Sequence, residues 1–365
     1  MGFSEIKINH LKDYIEFVNE LGRAYDEKKR TPPVLWFRGE RCQDWSLRPS
    51  LIRDHDLEIY EEETGAASGR ALQEEMRYQH YQAKNYHFLQ KNPDTRLGWM
   101  ELMQHHSVKT RLLDWSESMF HPLIFALECF FDSKNYRTEE RIKSSPNIWV
   151  YEPIKWNGVA LEKLINSQDV IQYCIESLES YRVIPVRTEL RDKFLNMGKK
   201  LPDYLKMGKT SHLEGIFNLS VIEKDLSKIT PDELFYLLEK GEYFYCLFYL
   251  LRQVYLNTAV WDLGDVMPLA IVESYHSDRI RAQRGAFAIF PYYRENEMVK
   301  KLHNADIHLD AMENMDMGNQ FLHRIRICNQ EEIAFEIMNA GMNISWLYPE
   351  MPVVANAIEN RKVIF

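Results

Sequence analysis

The sequence predicts an α+β fold: a mixed, mostly antiparallel sheet flanked by helices, with a helical insertion in mid-chain. Three observations lead there. The runs "VLWFRG", "SPNIWVYEP" and "GAFAIFP" have the length, the aromatic and β-branched content and the flanking turn residues of strands. Between them lie stretches with apolar residues at helical spacing, and no Walker loop or G-x-G-x-x-G supports an ordinary nucleotide-binding fold. From residue 155 to about 260 the strand patterning fades and helical segments take over.

In chain order, "INHLKDYIEFVNELG" has apolar residues at 8, 11, 15, 18 and 21, which predicts a helix ending at Gly22. A charged loop and Pro32–Pro33 precede the strand "VLWFRG". "LRPSLIRD" reads as an irregular extended segment running into the acidic loop "EIYEEETG". "ALQEEMRYQHYQAKNYHFLQK" is helical, with Leu72, Met76, Tyr86 and Leu89 expected to face inward. "WMELMQHH" is a short helix, "KTRLLDW" a strand or tight buried segment, and "SMFHPLIFALECFF" an apolar helix with Ser116 or Ser118 as its cap. The insertion is broken at Pro202 and Pro231 and contains "YFYCLFYLL", which is too short to span a bilayer and reads as a buried helix. After "GAFAIFP", the tail "HRIRICNQEEIAFEIMNAG" gives a strand and then a helix with Gly341 as C-cap. The chain thus divides into residues 1–154, the insertion 155–265, and 266–365, which completes the core.

A chain of 365 residues with 45% hydrophobic and 27% charged residues has ample material for a full core. The net charge of −9 argues against a surface that is basic throughout, while leaving room for a local basic cleft. Cys42, Cys129, Cys174, Cys246 and Cys328 are scattered and odd in number, and the N-terminus lacks the pattern of a secretion signal. Reduced thiols in a cytoplasmic protein are the expectation.

Polar residues embedded in apolar runs mark the places where chemistry is to be sought. In "VLWFRGE" the guanidinium of Arg38 cannot lose its charge, so it needs an internal acid or an anionic ligand. Gly39 beside it permits a close approach by backbone or ligand. In "LMQHHSVKTRLLDWSESMFHPLIFAL", the residues Gln104, His105, His106, Thr110, Arg111, Asp114, Ser116 and His121 crowd beside an apolar helix, as in a polar cleft or a buried hydrogen-bond network. His105 and His106 are adjacent, hence about 100° apart on a helix and poorly placed to share a metal; no metal site is expected. Asp114 could orient a histidine or pair with Arg111 or Arg38, and Ser116 is a conceivable nucleophile without the G-x-S-x-G context of a hydrolase. In "SDRIRAQRGAFAIFP", Gln283, Gly285 and Phe287 stand where a buried strand begins, so that amide either reads a ligand edge or ties down a loop.

Taken in order, "LWFRGE", "WSLRPSLIR", "MQHHSVKTRLLDWSESMFHPLIFAL", "RIRAQRGAFAIFP" and "GMNISWLYPEM" resemble the FRG domain family of bacteria and phages, named for a Phe-Arg-Gly motif matched here by Phe37, Arg38 and Gly39. The family's middle signature is kept at Gln104, His105, Thr110, Arg111, Leu112, Leu113, Asp114, Trp115 and Ser118; Ser107 replaces a glycine, Lys109 a proline, Ser116 a threonine and Met119 a proline. The layout is also similar to the Arg–Ser–Glu arrangement of ADP-ribosyltransferases, which implies an ADP-ribosyltransferase-like core and NAD as substrate. On that resemblance Arg38 grips a phosphate, and Phe37, Gly39, Thr110, Arg111, Trp115, Ser116 and Ser118 line the cofactor pocket. Arg38, Asp114, Gln283 and His105 then serve catalysis, with Gln283 on a late strand where a glutamate is usual. The implied role is a toxin or phage-defence effector that modifies a protein or nucleic acid. A non-catalytic nucleotide- or peptide-binding module, and a hydrolase or nuclease using His105, His106 and Asp114, are the alternatives.

Overall fold

The computed structural model describes residues 6–25, 34–53 apart from 44 and 46, 69–131 apart from 90, 145–182, 218–257, 266–272, 278–291 and 322–348, with a few isolated positions besides. The strands are β1 (Ile6–Ile8), β2 (Trp36–Glu40), β3 (Leu112–Ser116), β4 (Asn147–Tyr151), β5 (Leu269–Ile271), β6 (Gly285–Ile289) and β7 (Leu322–Ile327). They form a seven-stranded sheet in the order β1-β7-β4-β2-β3-β6-β5. Among the described strands only β1 and β7 run parallel and the other strand pairings are antiparallel, with an isolated parallel bridge between Cys42 and Ser145 besides. Strands from both ends of the chain interleave, so the expected mixed, mostly antiparallel α+β sheet is present.

Strand alternation sorts the apolar residues onto two faces. Phe37, Ile148, Val150, Ile325 and Ile327 share one face and pack under α1 (Leu11–Tyr25), α4 (His121–Ala126) and α12 (Gln330–Asn339). Farther along that same face, Leu112, Phe287, Ile289, Leu269 and Ile271 lie under a second core. This core is built by the β3-β6-β5 end of the sheet, α3 (Arg96–His105) and the helices of the insertion: α6 (Pro153–Asn166), α7 (Gln168–Arg182), α8 (Leu219–Ser227), α9 (Pro231–Lys240) and α10 (Tyr243–Leu251). The described residues of the insertion are helical, and Leu247, Leu250 and Leu251 of "YFYCLFYLL" are fully buried. The opposite face carries an aromatic layer of Trp36, Trp115, Trp149 and Tyr151 over the alanines 270, 286 and 288.

The local signals act as their chemistry requires. Pro231 starts α9 instead of merely breaking a helix, with Thr230 and Glu233 forming a capping box. Gly341 ends α12 at φ +80°, with its N–H on the Met338 carbonyl and the Met342 N–H reaching back to Ile337, a Schellman closure. Pro202 lies outside the described residues.

Four expectations are corrected. Helix α1 runs through Gly22 to Tyr25. In α2 (Gly69–Asn85) Leu72 and Met76, expected inside, are exposed, and Tyr86, also exposed, and Leu89 lie beyond the helix; Ala71 and Glu74 are buried instead. The reason is electrostatic: Glu74 meets the buried Arg111, its Oε2 3.3 Å from the guanidinium Nε and its Oε1 accepting the Arg111 N–H at 3.1 Å, so the helix turns a carboxylate toward the core. The helix after β3 starts at His121 behind Phe120 with no side-chain cap, and Leu127 separates it from α5 (Glu128–Phe131). Ser116 and Ser118 act one turn earlier, accepting the N–H groups of Ser118 and Phe120. Finally, Gln283 is not on a strand: it is the last residue of α11 (Asp278–Gln283), and β6 begins at Gly285.

Candidate functional site

In mid-sheet, where the two helix-covered cores meet, β2 and β3 pair at Phe37–Ser116 alone and then part. A cleft of about 400 Å³ opens at this seam, within the usual size range of small-ligand pockets. Its walls are the end of α3, the start of α4, the loop around Ser50–Arg53, the split strands and the start of β6.

Arg38 bridges the split. Its Nη1 donates to the Asp114 carbonyl of β3 at 2.8 Å, and its Nε donates to Glu40 Oε1 at 3.2 Å. Glu40 is 3% exposed, and its other oxygen accepts the indole N–H of Trp149 at 2.9 Å. A buried carboxylate that is itself anchored therefore fixes the guanidinium plane. The second acid is held loosely: the Asp114 carboxylate lies 4.0 Å from Arg38 and is 59% exposed, whereas the Arg38 side chain is 16% exposed. Of the two partners the sequence left open for Asp114, the structure selects Arg38; Arg111 pairs with Glu74.

A relay sets the resting position of Asp114. The Thr110 hydroxyl donates to Gln104 Oε1 at 2.6 Å, which orients the amide so that Nε2 donates to both Asp114 oxygens at 3.2 Å. Thr110 is fully buried and Arg111 is 1% exposed, and neither lines the cleft. Burial pushes the Arg111 pKa down to about 10, with Glu74 opposing the shift. Ser118 also stays out of the lining. Trp115 borders the cleft, but its ring packs against Tyr151 in the aromatic layer, centroids 4.4 Å apart.

Gly39 is required by α4. A Cβ there would stand 1.9 Å from the Pro122 carbonyl oxygen. The missing side chain lets α4 lie directly on β2 and brings Pro122 and Phe125 to the cleft wall.

Ser116, His121 and Gln283 form a small knot. The Ser116 hydroxyl donates to the Gln283 carbonyl at 2.7 Å, and His121 Nδ1 sits 2.8 Å from that same oxygen. A carbonyl only accepts, so Nδ1 carries the proton and cannot take one from Ser116, 3.4 Å away. Burial lowers the His121 pKa, which keeps the ring neutral. This is a structural knot and not a nucleophile–base pair. The Gln283 side chain donates to the Leu347 carbonyl at 2.9 Å, so the amide ties the C-terminal turn to the cleft wall.

His105 lines the cleft, whereas His106 is exposed and outside it. Among the described residues, His10, Glu332 and Glu336 bring three potential ligand atoms within 4.8 Å, none of them in the cleft. All five cysteines are free thiols, and among the described residues no helix is long and apolar enough to cross a membrane.

Several lining residues are not among the site residues read from the sequence: Ser50, Arg53, Ser107, Val108 and Phe125. Ser107 adopts φ +62°, the left-handed conformation that glycine occupies freely, at the position where the related signature has glycine. The segment "LRPSLIR" is visible as a motif, but its fold over β3 is not.

Residues 34–135 match the family model of the FRG domain. The match spans β2, the Ser50–Arg53 loop, α2 to α5 and β3, and so contains Arg38, Gln104, His105 and Asp114 but not Gln283. No curated protein and no solved structure matches the chain.

Proposed function

We propose, from the premise that this chain carries an FRG domain, that the cleft binds NAD and transfers its ADP-ribose to a protein or nucleic-acid target in the cytoplasm, in keeping with a toxin or phage-defence role. The observation that carries the reading is the state of Arg38. It lies in a cleft of ligand size, oriented by a buried acid, and its outer counter-ion is an exposed carboxylate at 4.0 Å that a phosphate can displace. A guanidinium prepared in this way grips phosphate oxygens by paired, charge-assisted hydrogen bonds.

The ADP-ribosyltransferase layout asks for a late glutamate, and Gln283, committed to Leu347, does not serve. In this reading Asp114 takes the part. Released from Arg38 by the bound phosphate, its carboxylate stabilises positive charge at the ribose C1′ as nicotinamide departs, and the acceptor nucleophile then forms the new bond. His105 borders the same space. The test is nicotinamide release from NAD in the presence of nucleic acid and lysate proteins. Wild type should release it, while Arg38→Ala and Asp114→Asn should not.

A second reading, recognition without turnover, is favoured by the Gln283 amide being spent on the backbone. Binding of NAD by wild type with no nicotinamide released would select it. Neither binding nor turnover would end the NAD assignment altogether.

A further inference from the structure

The cleft contains a second arginine that the Arg–Ser–Glu layout does not include. Arg53 lines the same wall as Arg38, and the way the chain delivers it is specific. Leu51, 1% exposed, anchors the segment, and its N–H donates to the Thr110 carbonyl at 3.0 Å. Ser50 Oγ accepts the Thr110 N–H at 3.2 Å, and the N–H groups of Ile52 and Arg53 both turn back to the Pro49 carbonyl at 3.1 Å. The turn Pro49–Arg53 is thus latched to the residue just before Arg111 and β3, the strand that bears Asp114. Thr110 serves the cleft from behind in two ways, its backbone holding this turn and its hydroxyl orienting Gln104.

Arg53 differs from Arg38 in one respect that matters. Arg38 has Glu40 and Asp114 as partners, whereas among the described residues no hydrogen bond or ion pair holds the guanidinium of Arg53, a residue that is exposed as a whole. Partial burial of the charged group at the cleft wall comes first in lowering its pKa and the like charge of Arg38 second, while Glu40 and Asp114 oppose the shift. Two cations facing one cavity repel each other until an anion enters between them. A single phosphate satisfies one guanidinium; two linked phosphates satisfy both.

We propose that Arg38 and Arg53 form a two-arginine clamp for a diphosphate group, which makes Arg53 the residue that selects diphosphate-linked nucleotides over monophosphates. This rests on the reading of the cleft as a nucleotide site and names the ligand class more narrowly. Free pyrophosphate shares the chemistry, so the test includes both sources.

Equilibrium binding of ADP, AMP, pyrophosphate and phosphate is measured by calorimetry on the full chain, wild type and Arg53→Ala. Because Arg53 is exposed and carries no internal bond among the described residues, its loss leaves the fold in place, which circular dichroism checks. Wild type should prefer ADP over AMP, and pyrophosphate over phosphate, by about tenfold or more, the usual worth of one charge-assisted contact. In Arg53→Ala both preferences should fall to within about threefold, with AMP affinity little changed. Preferences that survive Arg53→Ala, or their absence in wild type, overturn the clamp and leave the NAD reading to stand on its own assay. Arg53-dependent preferences in a protein that neither binds nor consumes NAD support the clamp and sink that reading.

Discussion

Replacing Gly39 with alanine sets a Cβ 1.9 Å from the Pro122 carbonyl oxygen, 2.7 Å from its carbon and 3.0 Å from the Ala126 nitrogen. All three neighbours are backbone, so no rotamer change relieves the overlap. Either α4 or β2 has to withdraw by on the order of 1 Å to regain normal contact. Leu123 and Ile124 of α4 are fully buried, so the withdrawal also loosens the core they pack into. Overpacking costs about 1–3 kcal/mol, and the loss of packing under a displaced helix raises it; the smaller conformational entropy of alanine in the unfolded chain returns about 0.5–1 kcal/mol. The expected net destabilisation is about 3 kcal/mol, read from urea unfolding followed by tryptophan fluorescence and circular dichroism. Gly158, in α6, is the control, because nothing lies within 4 Å of the point where a methyl carbon would stand. Alanine there should stabilise by about 0.5–1 kcal/mol. A Gly39→Ala protein within about 1 kcal/mol of wild type would refute the claim that this glycine exists to let α4 onto the sheet.

Three further outcomes follow from the same geometry. Ser107→Gly relieves the left-handed conformation at φ +62° and should raise stability by about 0.5–1 kcal/mol in urea unfolding, whereas a loss would show that the Ser107 side chain matters more than its backbone. Glu40→Gln keeps an acceptor for Trp149 but removes the buried counter-ion of Arg38, and should cost about 2–4 kcal/mol; a cost below about 0.5 kcal/mol would mean that Glu40 does not hold that charge. Burial pushes the His323 pKa down to about 4, below the ordinary value of 6.5 expected in the unfolded chain. The unfolded chain therefore binds the proton first, and stability present above pH 6.5 is lost as pH falls toward 4. Between pH 8 and 5 this histidine should account for about 2 kcal/mol, a loss that His323→Phe, beside the ring of Phe17, should remove; an unchanged pH slope in that variant would contradict the assignment.

The sheet was legible where short runs rich in apolar and aromatic residues stand between turn residues, in "WFRGE", "NIWVY" and "GAFAI", because a run of that length buried on both faces suits a strand in mid-sheet. The partnership of Arg38 with Asp114 was legible as one of two choices, since a fixed charge in an apolar run demands an acid. What could not be read depends on tertiary pairing. The inward face of α2 carries Glu74, not Leu72 and Met76, because Arg111 arrives from a distant strand. Gln283 ends a six-residue helix, and a segment of that length has too few turns to show a period. Thr110 and Arg111 sit inside the most distinctive motif of the chain and yet act behind the cleft, so motif membership alone did not separate residues that face a ligand from those that hold the wall. Arg53 gives no sign of its role in the sequence, because its turn makes sense only when latched to Thr110.

The central claim is that a phosphate takes the place of Asp114 on Arg38. Titration of NAD into Arg38→Ala and Asp114→Asn, each against wild type at one ionic strength, tests it directly. Loss of the guanidinium should weaken binding by about tenfold or more. Loss of the competing carboxylate should tighten it by a few-fold while abolishing nicotinamide release. An Asp114→Asn protein whose NAD affinity falls as far as that of Arg38→Ala would contradict the account, because Asp114 would then be a partner of the ligand and not its rival.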